Sequence, residues 1–185
     1  MSDDHQDLKM TGSQLESSEV FSTQTTTWVR VGSSIHEDSI EALEQALEGL
    51  KLDNKPRLLI IFAAPRYDLE HISKSLSEKF EDCAVIGCTT SGEIAEGNAL
   101  TQSLVLWALG GTGIRVSTSF GLVDHEGQGL RQAAIQAAGC LDQLERRNNT
   151  VMVLLSDGLG GDQMEVVRGA YDAANIDVPL VGGVI

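Results

Sequence analysis

Apolar residues recur along this chain with two periods, and the alternation between them predicts a strand-and-helix order. Residues 26–31, Thr26-Thr27-Trp28-Val29-Arg30-Val31, read as a first strand, ended by Gly32-Ser33-Ser34. A helix is predicted over 36–50, where Ile40, Leu43, Leu47 and Leu50 fall at spacings of three, four and three. Residues 58–64 are continuously apolar, the pattern of a strand covered on both faces. Asp68 is the predicted N-cap of a helix that carries Leu69, Ile72, Leu76 and Phe80 on one side. A strand at 103–109 and another at 114–120, joined through Gly110-Gly111-Thr112-Gly113, form a predicted hairpin. A long helix over 127–147 places Leu130, Ala134, Ala137, Leu141 and Leu144 together. A second buried strand at 151–155, a helix over 162–174 with Met164, Val167 and Tyr171 inward, and a strand within 178–185 complete the series. The expected fold class is α/β, with layered sheets, strand-helix-strand units and one hairpin.

The stretch that organises the rest is Ala84-Val85-Ile86-Gly87-Cys88-Thr89-Thr90-Ser91-Gly92-Glu93-Ile94. Ala84 to Ile86 is too short for a helix and suits a buried strand. Gly87 and Gly92 bracket one thiol and three hydroxyls, read as a loop at the strand end. Such a loop either forms a small polar pocket or is a tight turn built from small residues. In the pocket reading Glu93 meets a ligand ammonium while Thr89, Thr90 and Ser91 offer hydroxyls to a carboxylate; otherwise Glu93 is a solvated charge. Arg66 and Tyr67, at the mouth of the preceding strand, either clamp an anion or cap their loop. Asp157, after the strand at 151–155, is the counterpart of these groups.

That counterpart follows from a candidate internal duplication. The segments 58–87 and 151–182 share the order buried strand, loop, helix, short strand, glycine. Ile86-Gly87-Cys88 corresponds to Val181-Gly182-Gly183, and Leu69, Ile72 and Leu76 to Met164, Val167 and Tyr171. Two related halves would set their glycine loops about a shared site.

Composition narrows the function classes. At 185 residues the chain can bury a sizeable core, which its low aromatic content of 4% makes aliphatic. A net charge of −14 argues against nucleic-acid binding, since phosphate neutralisation needs clustered Lys and Arg. Three cysteines without a C-x-x-C pair suggest neither a disulfide framework nor a zinc site, and fit a reducing compartment. No secretory leader or membrane-length apolar run is present, so a cytoplasmic protein with no membrane partner is expected. Residues 1–25 are polar and acidic and are expected to be a disordered tail, leaving 26–185 as the folded domain.

Four pieces occur in an order that resembles the N-terminal FIST domain: Phe62-Ala63-Ala64-Pro65-Arg66-Tyr67-Asp68, the stretch from Val85 to Ile94, Ser156-Asp157-Gly158-Leu159 and Pro179-Leu180-Val181-Gly182-Gly183. The Gly-Cys-Thr-Thr-Ser-Gly-Glu run is the most specific of them. The resemblance implies a bacterial sensory input domain that binds small ligands such as amino acids and feeds chemotaxis or two-component signalling, with a histidine kinase or chemotaxis component as partner. Some relatives are haem-containing sensors of nitric oxide. Family members usually continue into a C-terminal FIST domain, so the chain is expected to be incomplete at its C-terminus. Its last strand is then an uncovered edge that favours self-association.

The expected function is a non-catalytic receptor for a small polar, amino-acid-like molecule. Its candidate binding residues are Gly87, Cys88, Thr89, Thr90, Ser91, Gly92, Glu93, Arg66, Tyr67, Asp157, Gly158, Gly182 and Gly183. No cofactor or metal is expected. The first alternative is a haem sensor with Cys88, His36, His71 or His125 as axial ligand. The second is a thiol enzyme using Cys88, although no histidine lies near it in sequence. Gly158-Leu159-Gly160-Gly161 fails as a dinucleotide fingerprint, because the third glycine would fall at Gln163.

Overall fold

The computed structural model describes residues 26–123, 129–145 and 149–185. The expected tail at 1–25, His125 and the ends of the long predicted helix therefore lie outside the described residues. The element order is β1 (Thr27–Ser34), α1 (Ser39–Leu50), β2 (Leu58–Ala63), α2 (Leu69–Lys79), β3 (Ala84–Thr89), β4 (Glu93–Ala95), β5 (Asn98–Leu100), β6 (Leu104–Gly111), α3 (Leu130–Ala138) with a 3-10 turn at Gly139–Gln143, β7 (Met152–Ser156), α4 (Gln163–Ala174) and β8 (Leu180–Val184). The chain is α/β, as its pattern predicts.

Four strands form the main sheet in the order β1-β6-β2-β3. β6 is antiparallel to both neighbours and β2 is parallel to β3, so β1, β2 and β3 all run the same way. α1 and α2 cover one face together: Ala42, Leu43, Ala46 and Leu50 of α1 and Ile72 and Leu76 of α2 share a core with Leu59, Ile61, Ala63, Leu104, Leu106 and Ala108. Asp38 starts α1 by accepting from the Ile40 and Glu41 amides, and Asp68 starts α2 by accepting from His71. Those backbone bonds hold the Asp38 carboxyl below its ordinary range.

Strand ends are where the pattern misleads. β1 runs through Gly32-Ser33-Ser34 instead of stopping there. A Cβ at Gly32 would lie 2.0 Å from the Ala46 carbonyl oxygen, so this glycine admits α1 to the sheet and makes no turn. The same holds at Gly87, which is inside β3 opposite Ile61, where a Cβ would meet the Ile61 oxygen at 2.6 Å. Gly110 and Gly111 likewise belong to β6, and residues 114–120 form no strand. The predicted hairpin at 110–113 is therefore absent. The hairpin in this fold joins β4 to β5 through Glu96 and Gly97, both at positive φ.

A second, smaller core lies between β7, β8, α4 and the end of α3. It comprises Ala138, Leu141, Met152, Ala170, Ala174 and Val178. β7 and β8 are parallel and joined by α4, whose N-cap is Asp162, so the β2-α2-β3 arrangement recurs. Gly182 sits opposite Leu154 as Gly87 sits opposite Ile61. The inward face of α4 is not the predicted one. Val166, Gly169, Ala170 and Ala174 are buried, whereas Met164, Val167 and Tyr171 are exposed. Gly169 is the reason: a Cβ there would meet the Arg131 oxygen of α3 at 2.2 Å, so the small residues carry the helix contact. β7 is also covered on one face only, with Val153 38% and its partner Val181 50% exposed. The strand expected to be buried is therefore only partly so.

Candidate functional site

The carboxyl ends of β1, β2 and β3 and the start of β6 meet at one end of the main sheet, with the N-termini of α1 and α2. Ligands of open α/β sheets collect at such strand ends. Arg66 and Tyr67 leave β2 here. The Arg66 Nη2 group lies 2.8 Å from the Ile35 oxygen, 3.1 Å from the His36 oxygen and 2.9 Å from the Tyr67 hydroxyl. The buried Tyr67 hydroxyl faces the His36 oxygen at 2.8 Å and the Gln102 oxygen at 3.1 Å, donating its one proton between them. The guanidinium stacks 4.9 Å from the Tyr67 ring centroid. Of the two sequence-based readings, loop capping is therefore the observed role. The capping uses one nitrogen, and the other guanidinium N–H groups of this exposed residue have no partner among the described residues.

Across the next strand, the Thr90 amide donates to the Ala63 oxygen at 2.9 Å, extending the β2–β3 ladder by one rung. Gly87, Cys88 and Thr89 belong to the strand, so the loop itself is Thr90-Ser91-Gly92. Glu93 is 4% exposed. Its carboxylate accepts from the Thr90 hydroxyl at 2.5 Å, the Ser103 hydroxyl at 2.5 Å and the Ser103 amide at 3.2 Å. The expectation of Glu93 as partner for a ligand ammonium is overturned, since both oxygens are already engaged inside the fold. Ser103, fully buried, was not singled out in the sequence; the one signal was a hydroxyl placed directly before an apolar run. Thr89 and Ser91 are exposed.

The other predicted residues sit in the β7–β8 unit. Asp157 caps its own loop, accepting from the Leu159 amide at 2.8 Å, and its carbonyl accepts from Gln163 at 2.9 Å. The Gly158 amide donates to the Ile185 oxygen at 2.7 Å. Gly182 lies within β8 and a Cβ there would meet the Leu154 oxygen at 1.8 Å, while Gly183 faces open space. The structure describes no hydrogen bond between this set and the Arg66–Glu93 set. The two glycine stretches are thus strand interiors rather than facing loops, and a shared site is not what they build.

Burial pushes the Cys88 thiol above its ordinary range, which lowers its thiolate fraction at neutral pH. That is the opposite of an activated nucleophile. Of the histidines named as haem ligands, His36 and His71 lie among the described residues. His36 is exposed and its Nδ1 accepts from the Asp38 amide at 3.2 Å, and His71 sits on the surface of α2 among Asp68, Glu70, Lys74 and Glu78. Among the described residues no group of three or more His, Cys, Asp or Glu is placed to hold a metal ion, and no helix is long and apolar enough to cross a membrane.

Two hollows stand out. One, of about 390 Å³, is the charged recess on α2 beside His71. The other, of about 380 Å³, lies at the opposite end of the main sheet, between the start of β1 and the start of β3. Neither is lined by residues 89–93 or by Asp157.

Comparison with known proteins gives one family. The sequence profile described as the FIST N domain matches residues 57–185. No curated protein matches the chain. Among solved structures, an empty FtsZ dimer from M. jannaschii is similar at 20% identity and a TM-score of 0.31, over 45% of this chain. This chain spans 26% of that one, a likeness too slight to bear on fold or function.

Proposed function

Because the chain belongs to the FIST N domain family, a family of sensory domains in signal transduction, we propose that it is a cytoplasmic receptor for a small polar, amino-acid-like molecule. The ligand would lie at the carboxyl ends of β2 and β3, and its occupancy would be passed to a histidine kinase or chemotaxis component. The observation that carries this reading is Arg66: a guanidinium fixed through one nitrogen by two backbone carbonyls and a tyrosine, with its remaining donors unpartnered among the described residues. At the end of the neighbouring β3 and in the loop after it, the exposed Thr89 and Ser91 supply neutral hydrogen-bonding groups. With Nη2 engaged, Nε–H and Nη1–H remain to give a carboxylate single charge-assisted hydrogen bonds. Glu93 serves this end from behind, fixing the loop that carries Ser91.

Calorimetry of the whole chain against the common amino acids tests the proposal. At least one should bind, and both Arg66→Gln and Ser91→Ala should weaken it, the former by about tenfold. Heats equal to dilution across the set would remove the ligand class.

We propose also that the uncovered face and edge of β8 pair with a second copy of the chain. β8 carries no charge or proline that would deter edge pairing, and two antiparallel β8 strands are self-complementary about a two-fold axis. Sedimentation should show dimers that dissociate on dilution and are abolished by Val181→Lys. A monomer at every concentration would refute this.

A further inference from the structure

We propose that the 380 Å³ hollow at the far end of the main sheet is a second binding site, one for a small planar apolar molecule carrying a single negative charge. Its volume is that of a small-molecule pocket. Trp28 and Phe80, both half-buried against the main core, line it, as does the fully buried Pro56. The indole is held by design of the sheet. Trp28 pairs across strands with Gly110, and a Cβ at Gly110 would lie 2.1 Å from Trp28 Cζ2. Glycine at 110 therefore makes the space in which the ring lies. A ring so seated gives the hollow a fixed apolar side, with the Arg30 guanidinium 6.0 Å from its centroid.

The rim adds charge. Lys55 and Arg57 line the hollow and form no ion pair or side-chain hydrogen bond among the described residues. Asp82 also lines it and is paired with neither. Two cations and one carboxylate leave the lining at +1, in a chain whose net charge is −14. Burial lifts the neighbouring Cys83 thiol to about 11, so it adds no negative charge at neutral pH. Cations and aromatic side chains that line one hollow favour a carboxylate or sulfonate on an aromatic body. This site is separate from the Arg66 end and stands or falls independently of it.

The test uses the whole chain, with 2-naphthoate as probe and the neutral 2-naphthamide as control. Calorimetry should give one-to-one binding of the acid, with the amide about tenfold weaker. Arg57→Gln, an exposed substitution that leaves the core intact, should weaken the acid by about tenfold and leave the amide unchanged. Arg66→Gln should change neither. Trp107→Phe leaves Trp28 as the single indole, whose fluorescence should then change saturably with 2-naphthoate. Absence of heat, equal binding of acid and amide, or loss of binding in Arg66→Gln but not in Arg57→Gln would each overturn the proposal.

Discussion

Gly32→Ala is expected to destabilise the domain by at least about 3 kcal/mol, at the upper end of overpacking costs. The new methyl would lie 2.0 Å from the Ala46 oxygen and 2.9 Å from the Leu50 nitrogen. Both are backbone atoms of α1, so no side-chain rotation relieves the clash. The helix must retreat from β1 and take Ala42, Leu43, Ala46 and Leu50 partly out of the core they share with β2 and β6. The same contact contains its own control. A Cβ at Gly49 would lie 3.2 Å from the Gly32 Cα, a contact that a shift of a few tenths of an ångström relieves. Alanine is also favoured over glycine within a helix by about 1 kcal/mol, which offsets that strain. Urea unfolding should therefore show a large fall in midpoint for Gly32→Ala and a change within about 1 kcal/mol for Gly49→Ala. Equal midpoints for the two variants would mean that α1 is not seated through Gly32.

Glu93→Ala should cost about 3 kcal/mol and loosen the strand-end loop. The carboxylate takes three donors, and its loss leaves the Ser103 amide, the Ser103 hydroxyl and the Thr90 hydroxyl without an acceptor. Ser103 is fully buried, so water does not readily replace the lost partner. A buried donor left unmet costs about 1–3 kcal/mol, and the two Ser103 donors together set the scale. Removing the orphaned hydroxyl should recover part of the loss, giving a coupling above about 1 kcal/mol between Glu93→Ala and Ser103→Ala. Hydrogen exchange gives the local readout: protection of the Ser103 and Thr90 amides should fall while that of β2 and β6 holds. Unchanged protection at Ser103 would show that Glu93 does not hold the loop. The functional consequence follows from position, since Ser91 rides on the segment that Glu93 anchors. An amino-acid ligand at the Arg66 end should bind Glu93→Ala more weakly even though Glu93 does not touch it.

Both predictions concern residues whose type was visible in the sequence and whose role was not. Gly32 looked like the end of a strand, and Glu93 like a charge offered to solvent or ligand. Each is explained by an atom distant along the chain: the Ala46 carbonyl in one case, the Ser103 amide in the other.

Local pattern by itself determined much of this protein. The continuously apolar run at 58–64 read as a buried strand by its shortness and β-branched content, and β2 occupies Leu58–Ala63 of it. Asp68 announced the start of α2, since a carboxylate at an N-cap meets free amides whatever lies around it. The four motif pieces identified the family, and the recurrence of strand, helix and strand was legible from spacing alone.

Tertiary structure decided the rest, and the reason is common to all the cases. Small side chains carry no periodic signal. Gly169, Ala170 and Ala174 face inward on α4 because α3 and the β7–β8 pair come too close for Met164, Val167 or Tyr171, yet those larger residues have the stronger apolar pattern. Gly87 and Gly110 lie inside strands because Ile61 and Trp28 press against them from the neighbouring strand. A glycine that permits a turn and one that permits a close approach are the same letter, and only the atom that would meet its missing Cβ tells them apart.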